Sequence, residues 1–153
     1  MMSLCCKVLT ALEGKSLVTA ESCTGGMIGQ LLTAVPGASS VYKGGVVSYC
    51  NEVKHDLLGV EEQILKEHGA VSAATASAMA FGVRKLLNAD VAVSVTGLAG
   101  PGGDEYGNPV GAVFVGYSDA KVTLAEEYHF AGDRDAVREH AAKAALELIL
   151  KHV

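Results

Sequence analysis

The chain has 153 residues, 50% hydrophobic and 19% charged, with a mean hydropathy of +0.31; one domain spanning 1–153 fits that length, and the composition is too apolar for disorder. Twelve Lys and Arg stand against seventeen Asp and Glu, a formal charge of −5 with no basic run, so no nucleic acid is expected as a partner. No apolar stretch reaches the roughly 18–20 residues of a membrane span, and Lys7 interrupts the apolar N-terminus too early for a signal peptide, so no membrane and a cytoplasmic location are expected.

Ser3 as a cap, Leu4, Val8, Leu9 and Leu12 at helical spacing and Gly14 as a left-handed stop predict a first helix. Leu17 to Ala20 reads as a buried strand, followed by a helix with the stripe Met27, Ile28, Leu31 and Leu32, ended by Pro36. Val46 and Val47 lead a strand to Tyr49, and Asn51 is expected to cap a short helix through Lys54 and Leu58, stopped by Gly59. After a loop and a further short helix, Ser72 caps a long helix with the inner stripe Ala76, Met79, Ala80, Val83 and Leu87. Val91 to Val95 is a β-branched strand, and Thr96 to Gly103 holds too much glycine to be helix or strand. Val110 to Tyr117 and Val122 to Phe130 predict an antiparallel hairpin, and a last helix from about Asp133 buries Val137, Ala141, Ala144, Ala145 and Leu148. Helices alternating with buried strands imply an α/β fold, a three-layer α/β/α arrangement whose mixed sheet is covered by helices on both faces.

Ligands in such sheets gather where strands give way to loops at their carboxyl ends. Ser22 follows a strand, and Thr24-Gly25-Gly26 opens a helix, which sets a hydroxyl beside backbone N–H groups that could hold an anion; the same residues could equally be a cap and a packing turn. Lys54 sits in the first turn of a helix, where the macrodipole disfavours an ammonium. Use as a base at neutral pH requires its pKa to fall by about 3 units from about 10.4, most of it through burial; left in solvent it is an ordinary surface lysine. The 96–103 loop offers unobstructed N–H groups suited to a phosphate, or is a plain turn, and matches neither nucleotide-binding glycine motif. Cys5, Cys6, Cys23 and Cys50 have neither C-x-x-C spacing nor His partners, so they are expected to be reduced thiols, and no metal is expected. The histidines at 55, 68, 129, 140 and 152 are expected at helix surfaces or ends, and none pairs into a ligand or triad pattern.

Taken together, Ala20-Glu21-Ser22-Cys23-Thr24-Gly25-Gly26, Ser48-Tyr49-Cys50-Asn51-Glu52-Val53-Lys54, His68-Gly69-Ala70-Val71-Ser72, Gly97-Leu98-Ala99-Gly100-Pro101 and Pro109-Val110-Gly111 resemble the CinA C-terminal domain family. The likeness runs in order over nearly the whole chain and continues through Gly132 to Arg138. It departs at Asn108, where many relatives have a basic residue, and at Tyr106, which enlarges the loop. The resemblance is to the stand-alone form of the domain, and it implies a nicotinamide-nucleotide amidase that converts nicotinamide mononucleotide to nicotinate mononucleotide and ammonia without a cofactor. On that resemblance Ser22 is the nucleophile, Lys54 its general base and Tyr49 a proton-relaying or positioning partner.

The expected substrate contacts are Cys23, Thr24, Gly25 and Gly26 from the first loop, Thr96, Gly97, Ala99 and Gly100 from the second, and Arg134, with Arg138 as the alternative cation. The phosphate of the small-molecule nucleotide could rest on either glycine-rich loop. The alternative is a module of the same family that binds a nucleotide or phosphate without turning it over. A minor reading makes Cys23 the nucleophile, against which the absence of a partner histidine argues. The apolar excess suggests a homodimer.

Overall fold

The computed structural model describes residues 1–153. In chain order the elements are α1 (Met2–Ala11), β1 (Leu17–Glu21), α2 (Met27–Thr33), β2 (Tyr42–Val47), α3 (Asn51–Asp56), α4 (Glu62–His68), α5 (Ala73–Leu86), β3 (Val91–Gly97), β4 (Ala112–Ser118), β5 (Thr123–His129) and α6 (Arg134–His152). The strands form one five-stranded sheet in the order β2-β1-β3-β4-β5. β1 runs parallel to both β2 and β3, whereas β4 and β5 are added antiparallel. The sheet is therefore mixed, with its three parallel strands ending on one side.

Both faces of the central strands are apolar, and each face has its own helices. Val8 of α1 and Leu12 just after it, Ile28 and Leu32 of α2, and Val137, Ala141 and Leu148 of α6 pack with Leu17, Val93, Val95, Val113 and Val115. On the opposite face, Met79 and Val83 of α5 join Leu58, Val60 and Leu65 over Val18, Ala20 and Ala92. Fully burying a Val, Leu or Met stabilises the fold by roughly 1.5–3 kcal/mol each. This explains why continuous apolar runs, rather than alternating ones, mark β1, β3 and β4. No helix is long and apolar enough to cross a membrane.

Ser72 accepts from the Thr75 N–H and Asp133 from the Ala136 N–H, the caps expected of α5 and α6. Several local expectations are corrected. Helix α1 begins at Met2, so Ser3 lies within its first turn and makes no cap. Asn51 is likewise the first residue of α3, and the extended residue before it is Cys50, with no side-chain cap. Strand β2 starts at Tyr42 and stops at Val47, alternating half-buried and exposed positions straight through Gly44-Gly45, and Ser48 and Tyr49 lie beyond it. Thr96 and Gly97 close β3, paired with Phe114 and Val113, so the glycine-rich loop begins later than composition suggests. Of the histidines, His129 is on strand β5.

Candidate active site

β1 delivers Ser22 to the carboxyl edge of the sheet, and its backbone is held from both sides. The Ser22 N–H donates to Val95 O at 2.9 Å, and the Ser48 N–H donates to Glu21 O at 2.8 Å. The two loops that follow β1 and β2 are thereby fixed side by side. Lys54 reaches into this seam from α3 and is only 1% exposed. Its Nζ donates to Ser22 Oγ at 3.0 Å and to Ser48 O at 2.7 Å.

Burial is the main force lowering the Lys54 pKa from 10.5; the thiols of Cys50 and Cys23 oppose it weakly. The macrodipole expected to help has little to work with. α3 is six residues long, and Lys54 falls in its last turn as much as its first. A neutral Nζ has two hydrogens and one lone pair. With one hydrogen held by Ser48 O, the lone pair can turn to the Ser22 hydroxyl and accept its proton.

The turn from Ser22 into α2 does not form the open anion site that sequence suggests. Gly25 and Gly26 adopt positive φ, +59° and +107°, where L side chains are disfavoured, and this folds the chain back over the end of β1. The Glu21 carboxylate, 2% exposed, then accepts from the N–H groups of Gly26 at 3.2 Å, Ile28 at 2.9 Å and Gly29 at 3.1 Å. Gly25 N–H donates to Ser22 O and Met27 N–H to Thr24 O. The protein's own carboxylate fills the place expected for a substrate anion. Thr24, Gly25 and Gly26 lie outside the lining of the cavity in front of Ser22. The Cys23 N–H, next to Ser22, makes no hydrogen bond to another residue. Burial pushes the Cys23 thiol up to about 11.

That cavity measures about 420 Å³. Ser22, Cys23 and Lys54 form its base, Ala70, Val71 and the stretch from Thr96 to Gly103 its wall, and Tyr49 and Arg134 its rim. Thr96 spends its hydroxyl inside the wall, donating to Ala70 O at 2.7 Å. Beyond it, the N–H groups of Ala99, Gly100, Gly102 and Gly103 have no protein acceptor. Tyr106 and Asn108, the two departures from the family pattern, secure this loop from outside: the Tyr106 hydroxyl lies 3.0 Å from Lys66 O, and Asn108 Nδ2 donates to Val71 O at 3.1 Å.

Arg134 and Arg138 separate cleanly. Arg134 Nη1 donates to Gly100 O at 2.6 Å and its Nη2 to the Tyr49 hydroxyl at 3.1 Å, so it spans the cavity rim. Arg138 donates through Nε to Cys23 O at 3.0 Å and through Nη2 to Thr24 O at 3.2 Å, a buttress for the turn that does not line the cavity. Tyr49 is 60% exposed and bonds to neither Ser22 nor Lys54; its partner is Arg134. Glu21 is the site residue that sequence reasoning missed. The available signal was one carboxylate closing an otherwise uncharged, buried strand.

A profile of the CinA C-terminal domain matches residues 2–153. Among curated relatives, a CinA-like protein of Thermotoga maritima is 46% identical over 140 residues, 91% of this chain and 34% of the relative. A CinA-like protein of Salinibacter ruber is 50% identical over 132 residues, 86% of this chain and 32% of its own length. The chain thus spans about a third of the curated relatives it matches. Among solved structures, the competence damage-inducible protein A of Klebsiella pneumoniae superposes with a TM-score of 0.96 at 37% identity, covering 99% of this chain and 95% of that one. The competence/damage inducible protein CihA of Agrobacterium tumefaciens gives 0.94 at 38% identity, covering 98% and 93%.

Proposed function

Because the chain belongs to the CinA C-terminal domain family, we propose that it is an amidohydrolase of the nicotinamide-nucleotide amidase type, acting on nicotinamide mononucleotide. The observation that carries this reading is the buried Lys54 amine 3.0 Å from Ser22 Oγ at the base of an open cavity. A lysine enclosed in this way, with its pKa lowered, is suited to general base work without any histidine.

Neutral Lys54 takes the Ser22 proton as Oγ attacks the carboxamide carbon, and the carbonyl oxygen becomes an oxyanion facing the Cys23 N–H. The C–N bond then breaks; the Lys54 ammonium returns its proton to the leaving nitrogen, which departs as ammonia. Water, deprotonated by Lys54, attacks the acyl-Ser22 ester and releases nicotinate mononucleotide, and Ser22 recovers its proton. Ser48 O holds the amine in register throughout. The free amides of Ala99, Gly100, Gly102 and Gly103 and the Arg134 guanidinium are the groups suited to the substrate phosphate, since Glu21 already occupies the start of α2. Tyr49 acts as the partner that orients Arg134.

The test is ammonia release from nicotinamide mononucleotide, read across pH for wild type and for Lys54→Arg. Turnover should rise with pH through an apparent pKa below 10.5. Lys54→Arg, whose guanidinium keeps its proton, should lose at least about 10²-fold. Saturable binding of the nucleotide without ammonia would instead identify a non-catalytic binding module.

A further inference from the structure

Glu21 is placed where no catalytic step needs it, yet it is the most costly residue of the segment to bury. Its carboxylate is 2% exposed with no cation against it; its three donors are the backbone N–H groups of Gly26, Ile28 and Gly29. A buried charge is tolerated when its lone pairs are filled by charge-assisted bonds of this kind. The cradle is made by close approach: a Cβ on Gly29 would come 2.9 Å from the Tyr42 hydroxyl and 3.7 Å from Glu21 Oε2, so α2 lies almost directly on the Glu21 side chain at the end of β1 and on the Tyr42 side chain that rises from the start of β2. The Tyr42 hydroxyl is itself tied to Thr19 Oγ1 at 2.7 Å.

The consequence falls on the next residue. Ser22 is the single link between a carboxylate fixed to the far end of the turn and the rest of that turn. Its own N–H is held by Val95, its carbonyl by Gly25 N–H, and the two residues after it by Arg138. Three tethers therefore close on the Ser22 to Gly26 turn: Glu21 from the side of α2, Arg138 from below, and β3 from behind. We infer that Glu21 is a positioning residue that aims Ser22 Oγ at Lys54 and the Cys23 N–H at the developing oxyanion by locking this turn. It acts through geometry. Glu21 makes no hydrogen bond to Lys54, whose pKa is lowered chiefly by burial. The inference rests on the reading of Ser22 as a nucleophile.

The test measures Ser22 directly, by the rate of covalent labelling with a fluorophosphonate located at Ser22 by peptide mass, beside amide turnover. Glu21→Gln keeps the volume but turns an NH2 toward one of the three donors, and Glu21→Ala removes the acceptor. The limiting labelling rate should fall about 10-fold in Gln and about 10²-fold in Ala, the scale of a misplacement near 1 Å. The half-saturating probe concentration should stay within about 3-fold, because binding is not what the carboxylate supports. The pH at which the rate is half-maximal should not move. Formate, a carboxylate small enough for the vacated cradle, should restore the Ala variant at least in part while leaving wild type unchanged.

Folded variants that label at the wild-type rate, a fall in probe binding alone, or no recovery with formate would each overturn the inference. So would a failure of both variants to fold, since Glu21 would then serve stability and not aim. A wild-type protein that labels at Ser22 but releases no ammonia would remove the proposed substrate and leave Glu21 its role. A wild type that does not label would remove the nucleophile itself.

Discussion

At the scale of single residues, two candidate nucleophiles lie side by side and their environments divide the labour. Ser22 Oγ accepts from Lys54, whereas the Cys23 thiol is buried and pushed up to about 11. Four pH units below that value, only about 0.01% of Cys23 is thiolate at neutral pH. Ser22→Ala should therefore abolish ammonia release, by about 10³-fold or more, while nucleotide binding measured by calorimetry changes little, because a hydroxyl that bonds covalently only during reaction adds little ground-state affinity. Cys23→Ala should keep activity within about tenfold, as its contribution is the backbone N–H. The reverse pattern would transfer the nucleophile to the thiol. Ser22 and Lys54 are legible in the sequence as candidates because the first directly follows a buried strand, the second is a cation in the first turn of a short helix, and the family resemblance joins them. Glu21 is not, since a run of free N–H groups can be read from sequence but the group that fills them is set by how α2 lies on β1.

At the scale of elements, burial is what the sequence transmits best. The runs at β1, β3 and β4 and the stripes of α5 and α6 become elements at the expected places, because an apolar face must be covered whatever its neighbours. Edges and caps carry weaker signals. β2 is an edge strand carrying Gly44-Gly45 and one face in solvent, so few of its residues are apolar; α1 and α3 start a residue before Ser3 and at Asn51 itself because tertiary packing outweighs a cap of about 1 kcal/mol. Gly82 shows the same priority inside α5. Ala there would improve helix propensity by about 1 kcal/mol. Its Cβ, however, would run into the backbone carbonyl of Leu58, in the turn that follows α3, the helix that carries Lys54. Backbone cannot rotate away as a side chain can, so Gly82→Ala should lower stability in urea titration by about 1–3 kcal/mol. A gain in stability would mean that α5 and the Leu58 turn separate easily.

At the scale of the whole molecule, the sheet order explains why the site lies where it does. From β1 the chain passes through α2 to β2 on one side, and from β2 it returns through α3, α4 and α5 on the opposite face to β3 on the other side. The loops after β1 and β3 diverge, and the opening between them holds Ser22 and the 96–103 wall. A lysine placed in that opening is buried by the fold at the expense of stability. In the folded protein its pKa is depressed below 10.5 by desolvation, so on raising the pH the native state releases this proton before the unfolded chain does. Between the folded pKa and 10.5 the unfolded state holds more protons, and stability contributed through Lys54 rises with pH; below the folded pKa the full cost of the buried ammonium is present. Lys54→Met removes that charge and keeps the length of the side chain. Replacing buried charge with apolar volume stabilises by about 1–4 kcal/mol. Against this stands Ser48 O, which loses its donor at a cost of about 1–3 kcal/mol if left dry, and less here because it borders an open cavity. Lys54→Met should accordingly be inactive yet melt about 2–4 °C higher than wild type at neutral pH, a net gain of about 1 kcal/mol. The difference should narrow as the pH rises past the folded-state pKa and be smallest above 10.5, where the wild-type amine is neutral in both states. A lower melting temperature for Lys54→Met, or a difference that does not change with pH, would show that Lys54 holds the fold together and is not a base kept at the fold's expense.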